Sequence, residues 1–319
     1  MDLEACSGVL ALQSGVISRR QLTAAGALGH DVKRMLRRRD LVRLYDGVFV
    51  NHTGQPTWVQ RAWGGVLLAW PAALARDSAL RAGDGPGRAG RDDSVIHLAV
   101  DRHRAVRVPS GYRLHRISDF DAKVQWNASP PRVRIEEALV DVAAAATCDF
   151  DAIAGLADAV RARRTTPERI RQALDARARI ARRTFLRGVL TDLGQGTCSV
   201  LEHGYLTLVE RPHGLPVAER QLRDSINGPL YRDVVHAVGQ VVELDGRMWH
   251  DSPQQRDADL DRDLDAAVER LGTVRLGWGQ VFGRPCATAS RVARLLNARG
   301  WSGRARTCPA CPDAWPTAS

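Results

Sequence analysis

Residues Val241–Asp263 read VVELDGRMWHDSPQQRDADLDRD, and their first five positions set the expectation for the C-terminal half of the chain. A short run rich in Val and Leu reads as a buried strand, ended by Gly246. Period-two alternation puts Glu243 and Asp245 on one face of that strand, with Val242 and Leu244 on the other. Two carboxylates on one buried strand are costly unless a positive group lies between them. Hard divalent cations take oxygen ligands, so a metal-dependent site is the leading expectation.

The neighbouring sequence supplies partners for these acids. Leu230–His236 is a second strand candidate containing Asp233, and the turn at Gly239 would fold it back and set Asp233 beside Glu243. Ser199 can cap a helix that carries Glu202, with Leu201, Tyr205, Leu208 and Val209 as its apolar stripe. Downstream, Leu260, Leu264, Val268 and Leu271 give Gln255–Leu271 one buried helical face. Thr273–Leu276 is a last strand, and Arg291–Leu296 lies in a final helix. His250 can relay a proton to or from water or a leaving group, the plainer alternative being a cap on the loop that follows. Asp263 reads as a structural ion pair with Arg275 or Arg247 rather than as a ligand.

This layout resembles the PD-(D/E)xK nuclease superfamily, most closely the bacterial domain related to very-short-patch-repair (Vsr) endonucleases. SVLEHGYL, the HGLP turn, YRDVV, VVELDG with His250, DLDRD and VRLGWGQVFGRP carry the resemblance, over about 195–300. By motif position it implies Asp233 and Glu243 as acids holding Mg²⁺, Glu202 as the helical acid, and Asp245 where the superfamily most often has lysine. The catalytic set it implies is therefore Asp233, Glu243, Asp245, His250 and Glu202. Mg²⁺ in such a site lowers the pKa of a water and clamps the phosphate.

The N-terminus reads differently. Leu3–Gln13 is helical, Ser18 caps a second helix closed by Gly26, and Asp31 can cap a third, Val32–Arg38. The exposed face of that third helix carries Lys33, Arg34, Arg37 and Arg38. LVRLYDGVFV (Leu41–Val50) then alternates around Asp46-Gly47, a strong hairpin signal, and brings in Arg43. Three helices followed by a hairpin make a winged helix-turn-helix, whose last helix enters the major groove. The plainer alternative is a small helical domain with a solvated basic face. Residues 3–52 resemble the N-terminal domain of AbiEi-type antitoxins through GVISRRQL, the basic helix and LVRLYDGVFV. That resemblance implies DNA binding and autoregulation of an operon, with a cognate toxin as partner.

Between these ends, Gln55–Leu80 reads as helical and broken at Pro71, Ser94–Val100 and Tyr112–Ile117 read as strands, and Pro131–Ala146 as an amphipathic helix. No chemistry in 55–150 rises above packing; His97, His103 and His115 lack a supporting acid at ligand spacing.

Charge supports a polyanion partner. The net charge is +10, and among 46 basic residues only Lys33 and Lys123 are lysines. Residues 30–43 and 161–187 are basic, whereas 200–275 are acidic, which fits a protein that grips a polyanion and holds metal near it. Met1–Leu12 lacks the basic start of a secretory signal, no apolar run approaches the ~20 residues of a membrane span, and scattered cysteines suit the cytoplasm. Cys308 and Cys311 form one CxxC without a second pair. Zinc as a rule takes four ligands, so a solvated tail is the expectation there.

The expected fold is α+β and multidomain. It comprises a winged helix-turn-helix (1–54), a middle α/β domain (55–150), a basic helical connector (151–194), a restriction-endonuclease-like α/β domain (195–300) and a tail (301–319). The expected function is DNA binding with Mg²⁺-dependent cleavage of phosphodiesters in defence or repair. The alternative is an antitoxin or repressor, acting on its own operator, whose nuclease fold is inactive.

Overall fold

Ile17, Leu22, Val32, Met35, Leu41 and Phe49 pack into one apolar cluster, around which the first fifty residues fold. Complete burial of Ile17 and Phe49 contributes roughly 1.5–3 kcal/mol each. The computed structural model describes residues 3–84, 94–195, 199–224, 230–244 and 273–313, with backbone alone at 195, 199, 220–224 and 230–233. It is an α+β protein with three sheets among the described residues, and its chain divides into two compact units, Met1–Val142 and Ala143–Ser319. No described helix is long and apolar enough to cross a membrane.

The first unit opens with α1 (Ser7–Leu12), β1 (Val16–Ser18) and α2 (Arg19–Ala24). Ser18 begins α2 with a reciprocal cap: the Gln21 N–H donates to its hydroxyl (3.3 Å) and its own N–H donates to the Gln21 side chain (2.9 Å). Gly26, at φ +94°, turns the chain out of α2 in a conformation that favours glycine. In α3 (Gly29–Arg38) the expected cap is displaced. The Leu28 N–H donates to the Asp31 carboxylate at 3.0 Å, so Asp31 lies inside the first turn and reaches back. Such a bond satisfies one of the orphan donors of the helix start. Strands β2 (Val42–Tyr45) and β3 (Val48–Val50) then pair across the Asp46-Gly47 turn, with Gly47 at φ +70°. Strand β1 pairs with β3 on its other side, giving the order β1-β3-β2.

The rest of this unit holds α4 (Trp58–Leu68), β4 (Ala73–Leu74), α5 (Arg76–Asp84), β5 (Ile96–Asp101) and β6 (Tyr112–Ile117), followed by β7 (Val124–Gln125) and β8 (Arg132–Val133). Their sheet runs β6-β5-β4-β8-β7. The stretch expected to be helical through Leu80 is therefore interrupted not only at Pro71 but by a short strand: Ala73 and Leu74 pair with β5, and the Leu74 N–H donates to Pro131 O at 2.8 Å. The Leu74 and Ala75 N–H groups are satisfied across the sheet, which outweighs local helix preference. Gly64 and Gly65 let α4 approach closely. A Cβ on Gly65 would fall 2.3 Å from the Tyr112 ring, and one on Gly64 2.7 Å from Leu44. Tyr112 in turn donates to the Arg61 carbonyl (2.7 Å) and shares a hydrogen bond with the Tyr45 hydroxyl (2.8 Å), tying the hairpin to α4 and β6.

The one-turn α6 (Phe120–Lys123) and then α7 (Ile135–Ala145) carry the chain to the second unit, where α8 spans Asp149–Arg161. Helix α9 (Pro167–Asp175) is capped by Thr166. Helix α10 (Arg183–Gln195) follows. Much of the arginine density of this stretch is satisfied within it. Arg161 pairs with Asp158, Arg182 with Asp149, and both Arg171 and Arg187 with Asp175. Helix α11 (Ser199–Gly204) continues into a wider, π-type segment over Tyr205–Glu210, and the buried Tyr205 hydroxyl meets His236 at 3.2 Å.

A four-stranded sheet comes next, ordered β12-β11-β10-β9. Its members are β9 (Glu219–Asp224), β10 (Leu230–Val235), β11 (Val241–Leu244) and β12 (Val274–Leu276). Strands β9, β10 and β11 run antiparallel in turn, and β12 joins β11 in parallel. Helix α12 (Pro285–Ala298) then buries Val292, Leu295 and Leu296. The segment after it is held rather than free: Asn297 donates to Gly303 O at 2.9 Å, and the Arg306 N–H donates to His213 O at 2.9 Å.

Candidate functional site

Among the described residues, three groups of side chains are candidates for a functional role. On α3, Val32 and Met35 face the core, which leaves Lys33, Arg37 and Arg38 exposed on the opposite side. Arg34 is half-buried and donates to Asp31 at 2.7 Å. Arg43 is exposed on β2, in the hairpin next along the chain. One helical face and one hairpin thus present positive charge to solvent.

The second group is the acids of the C-terminal sheet. The β10–β11 register pairs Val234 with Val242 and Val235 with Val241. Asp233 is the β10 position before Val234 and Glu243 the β11 position after Val242, each one step beyond that pairing. Glu243 is half-buried, and its Oε2 accepts a hydrogen bond from Arg275 Nε at 2.9 Å across the β11–β12 pair. Arg275 is thus the partner of Glu243; Asp263, the acid expected to pair with it, lies outside the described residues. Glu202 is half-buried on α11. Asp245, His250 and the expected helix Gln255–Leu271 also lie outside the described residues. Glu243 offers the oxygen donor a hard cation such as Mg²⁺ wants. That carboxylate, however, already has a cation beside it.

The third group is one the sequence pattern does not assemble. His213, Cys286, Cys308 and Cys311 each present one ligand atom, and these atoms all lie within 4.8 Å of one another. His213 sits in the HGLP turn after the π-type segment, Cys286 in the first turn of α12, and the CxxC on the segment that α12 sends back across the unit. Sulfur–sulfur separations are 3.7 Å for both Cys286–Cys308 and Cys308–Cys311, and Cys311 Sγ stands 3.6 Å from His213 Nε2. The Nδ1–H of His213 donates to Val209 O at 2.8 Å, which leaves Nε2 as the lone-pair nitrogen facing the sulfurs. Burial pushes the His213 imidazole below its usual pKa and the Cys286 thiol up to about 12. The Cys308 N–H donates to Cys311 Sγ at 3.3 Å, curling the CxxC around its sulfurs. The tail expectation for Cys308 and Cys311 is therefore corrected: both are half-buried and enclosed by two residues distant in sequence. Only the CxxC half of this group is visible as a motif; a lone His and a lone Cys carry no spacing signal.

No family model matches the sequence, and no curated protein does. Among solved structures the chain is similar to the RV2827C protein from Mycobacterium tuberculosis, with 20% identity, 62% of this chain and 80% of that chain covered, and a TM-score of 0.38.

Proposed function

We propose that this is a DNA-binding protein whose first fifty residues act as a winged helix-turn-helix, α3 entering the major groove and the β2–β3 hairpin touching the backbone. The observation that carries this reading is the order α2, α3, hairpin, with Lys33, Arg37 and Arg38 on the exposed face of α3 and Arg43 on the hairpin. Lys and Arg on such a face neutralise phosphates and release counterions. Arg34 belongs to the same face through its anchoring by Asp31. In the same proposal the C-terminal sheet is of the restriction-endonuclease-like kind, with Asp233 and Glu243 as metal-holding acids and Glu202, Asp245 and His250 completing the site. The antiparallel β10–β11 pair, whose next step would bring Asp233 beside Glu243, and the parallel β11–β12 pair support it. When bound there, Mg²⁺ would supply Lewis-acid polarisation of a phosphodiester in DNA.

A second reading has its own observation. The Glu243 carboxylate is already ion-paired with Arg275, and Asp245 stands where the superfamily most often has lysine. Both favour an antitoxin or repressor whose nuclease fold binds without cutting.

Gel-shift titration against the chain's own upstream DNA, with wild type and a Lys33→Ala/Arg37→Ala/Arg38→Ala triple variant, tests the shared core. Binding is expected in the wild type and abolished in the variant; equal binding by both sinks the DNA-binding reading. Plasmid nicking with Mg²⁺ then separates the alternatives. Nicking abolished by Glu243→Ala identifies the endonuclease, and intact plasmid with specific binding identifies the regulator.

A further inference from the structure

We propose that His213 Nε2 and the Sγ atoms of Cys286, Cys308 and Cys311 bind one Zn²⁺ in a closed, tetrahedral structural site that staples the C-terminal segment onto the second unit. The spacing is that of a coordination shell. Tetrahedral zinc with Zn–S bonds of about 2.3 Å and a Zn–N bond of about 2.0–2.1 Å holds its sulfurs about 3.7–3.8 Å apart and its nitrogen about 3.5–3.6 Å from a sulfur. Three of the six separations are 3.7, 3.7 and 3.6 Å, and all six lie within 4.8 Å. A disulfide would instead bring two of the sulfurs to about 2.05 Å.

Donor chemistry selects the metal. Three thiolates and one imidazole are soft to borderline ligands, suited to zinc and unsuited to Mg²⁺ or Ca²⁺. Four protein ligands leave no open position for water or substrate, which marks a structural rather than a catalytic centre. Binding the ion releases three thiol protons to solvent, so Zn²⁺, three thiolates and a neutral imidazole leave the centre with a net charge of −1.

The supporting shell is already in place. The Val209 carbonyl fixes the His213 tautomer, as outer-shell acceptors do for metal-binding histidines. The Cys308 N–H to Cys311 Sγ bond is of the kind that stabilises a thiolate. Flanking the ligand His213, the Arg306 N–H bonds to its carbonyl, and Gly214, at φ +64°, lies with its Cβ position 3.1 Å from Arg306 Nε. The ligands come from the HGLP turn, the start of α12 and the terminal segment. One ion therefore cross-links three parts of the unit that the chain itself connects only through long excursions. This site shares no residue with the proposed Asp233 and Glu243 pair, and its test is independent of DNA binding or cleavage.

The test is metal analysis of the full chain purified under reducing conditions and supplied with Zn²⁺. Wild type, Cys6→Ser and Cys148→Ser are expected to retain one zinc per chain, whereas Cys308→Ser falls to below about a tenth. Cys311→His, which keeps four ligands, is expected to retain the ion. Where Cys308→Ser proves insoluble, Co²⁺ added to the metal-free wild type decides. Intense tetrahedral d–d bands with thiolate charge-transfer absorption support the site, and the weak spectrum of octahedral cobalt overturns it. Wild type without zinc, a Cys308→Ser variant that keeps it, or a Cys308–Cys311 disulfide in the reduced preparation would each overturn the proposal.

Discussion

Cys311 Sγ stands 3.6 Å from His213 Nε2, although ninety-eight residues separate them. The contact joins the end of the described chain to the turn that precedes the four-stranded sheet, so stability of that unit is expected to depend on it. If the pair is part of a metal centre, His213→Gln removes one ligand of four. A loss of about 3 kcal/mol, in the range for a broken metal site, corresponds to a fall of about 6–12 °C in Tm for a unit of this size. Calorimetry with and without a chelator checks the origin. Chelation is expected to lower the wild-type midpoint and leave the variant's unchanged; an equal response of both would assign His213 a packing role alone.

Binding of duplex DNA is expected to be salt-dependent through α3. Replacing Lys33, Arg37 or Arg38 singly by Ala should weaken binding to all sequences and reduce the slope of log K against log[salt] by about one for each phosphate no longer neutralised. Fluorescence anisotropy over a salt series measures both quantities. Arg34→Ala should act differently, because Arg34 holds the carboxylate that completes the first turn of α3. Its signature is a lower Tm accompanying the weaker binding.

Glu243 and Arg275 form a pair whose side chains are 34% and 63% exposed. Water screens such a pair, so Arg275→Ala should change stability by less than about 1 kcal/mol. The freed carboxylate should nonetheless bind Mg²⁺ or Mn²⁺ more tightly, an effect that Glu243→Gln removes. Calorimetric titration of the three proteins reads this directly, and indifference to Arg275→Ala would argue against any metal at these acids.

His97 Nδ1 and His115 Nε2 share a hydrogen bond of 2.8 Å between stacked rings. Burial, then the charges of Arg76, His97 and Arg113, lower the His115 pKa from 6.5 to about 4. The unfolded chain therefore binds more protons than the folded one between those values. Stability contributed here is present above about pH 6.5 and declines as pH falls toward about 4. Urea midpoints from pH 7 to 4 should decline more steeply for wild type than for His115→Gln; parallel declines would clear His115 of the effect.

What is legible from the sequence lies within a helical turn or a hairpin. Ser18 and Thr166 begin helices because their hydroxyls reach N–H groups three residues on. Asp46-Gly47 turns β2 into β3, and the short loop at Gly239 sets the β10–β11 register. Interactions of this range depend on a few dihedral angles, which residue type controls. Asp31 marks the edge of what such reasoning reaches. An acid near a helix start can serve as the cap or reach back to it, and only the observed bond to Leu28 decides.

Tertiary structure alone decided the rest. Pairing of β5 with β6 in parallel, insertion of β4 between β5 and β8, and the Arg275–Glu243 pair all join elements through the sheet. The group of His213, Cys286, Cys308 and Cys311 shows the same limit most clearly, since the chain reveals one CxxC and hides its two companions. Closing a chain loop costs free energy that grows only as the logarithm of its length. Spacing along the sequence therefore says little about which distant residues meet. That choice belongs to the packing of α12 and the sheet, which brings four ligand atoms to one point.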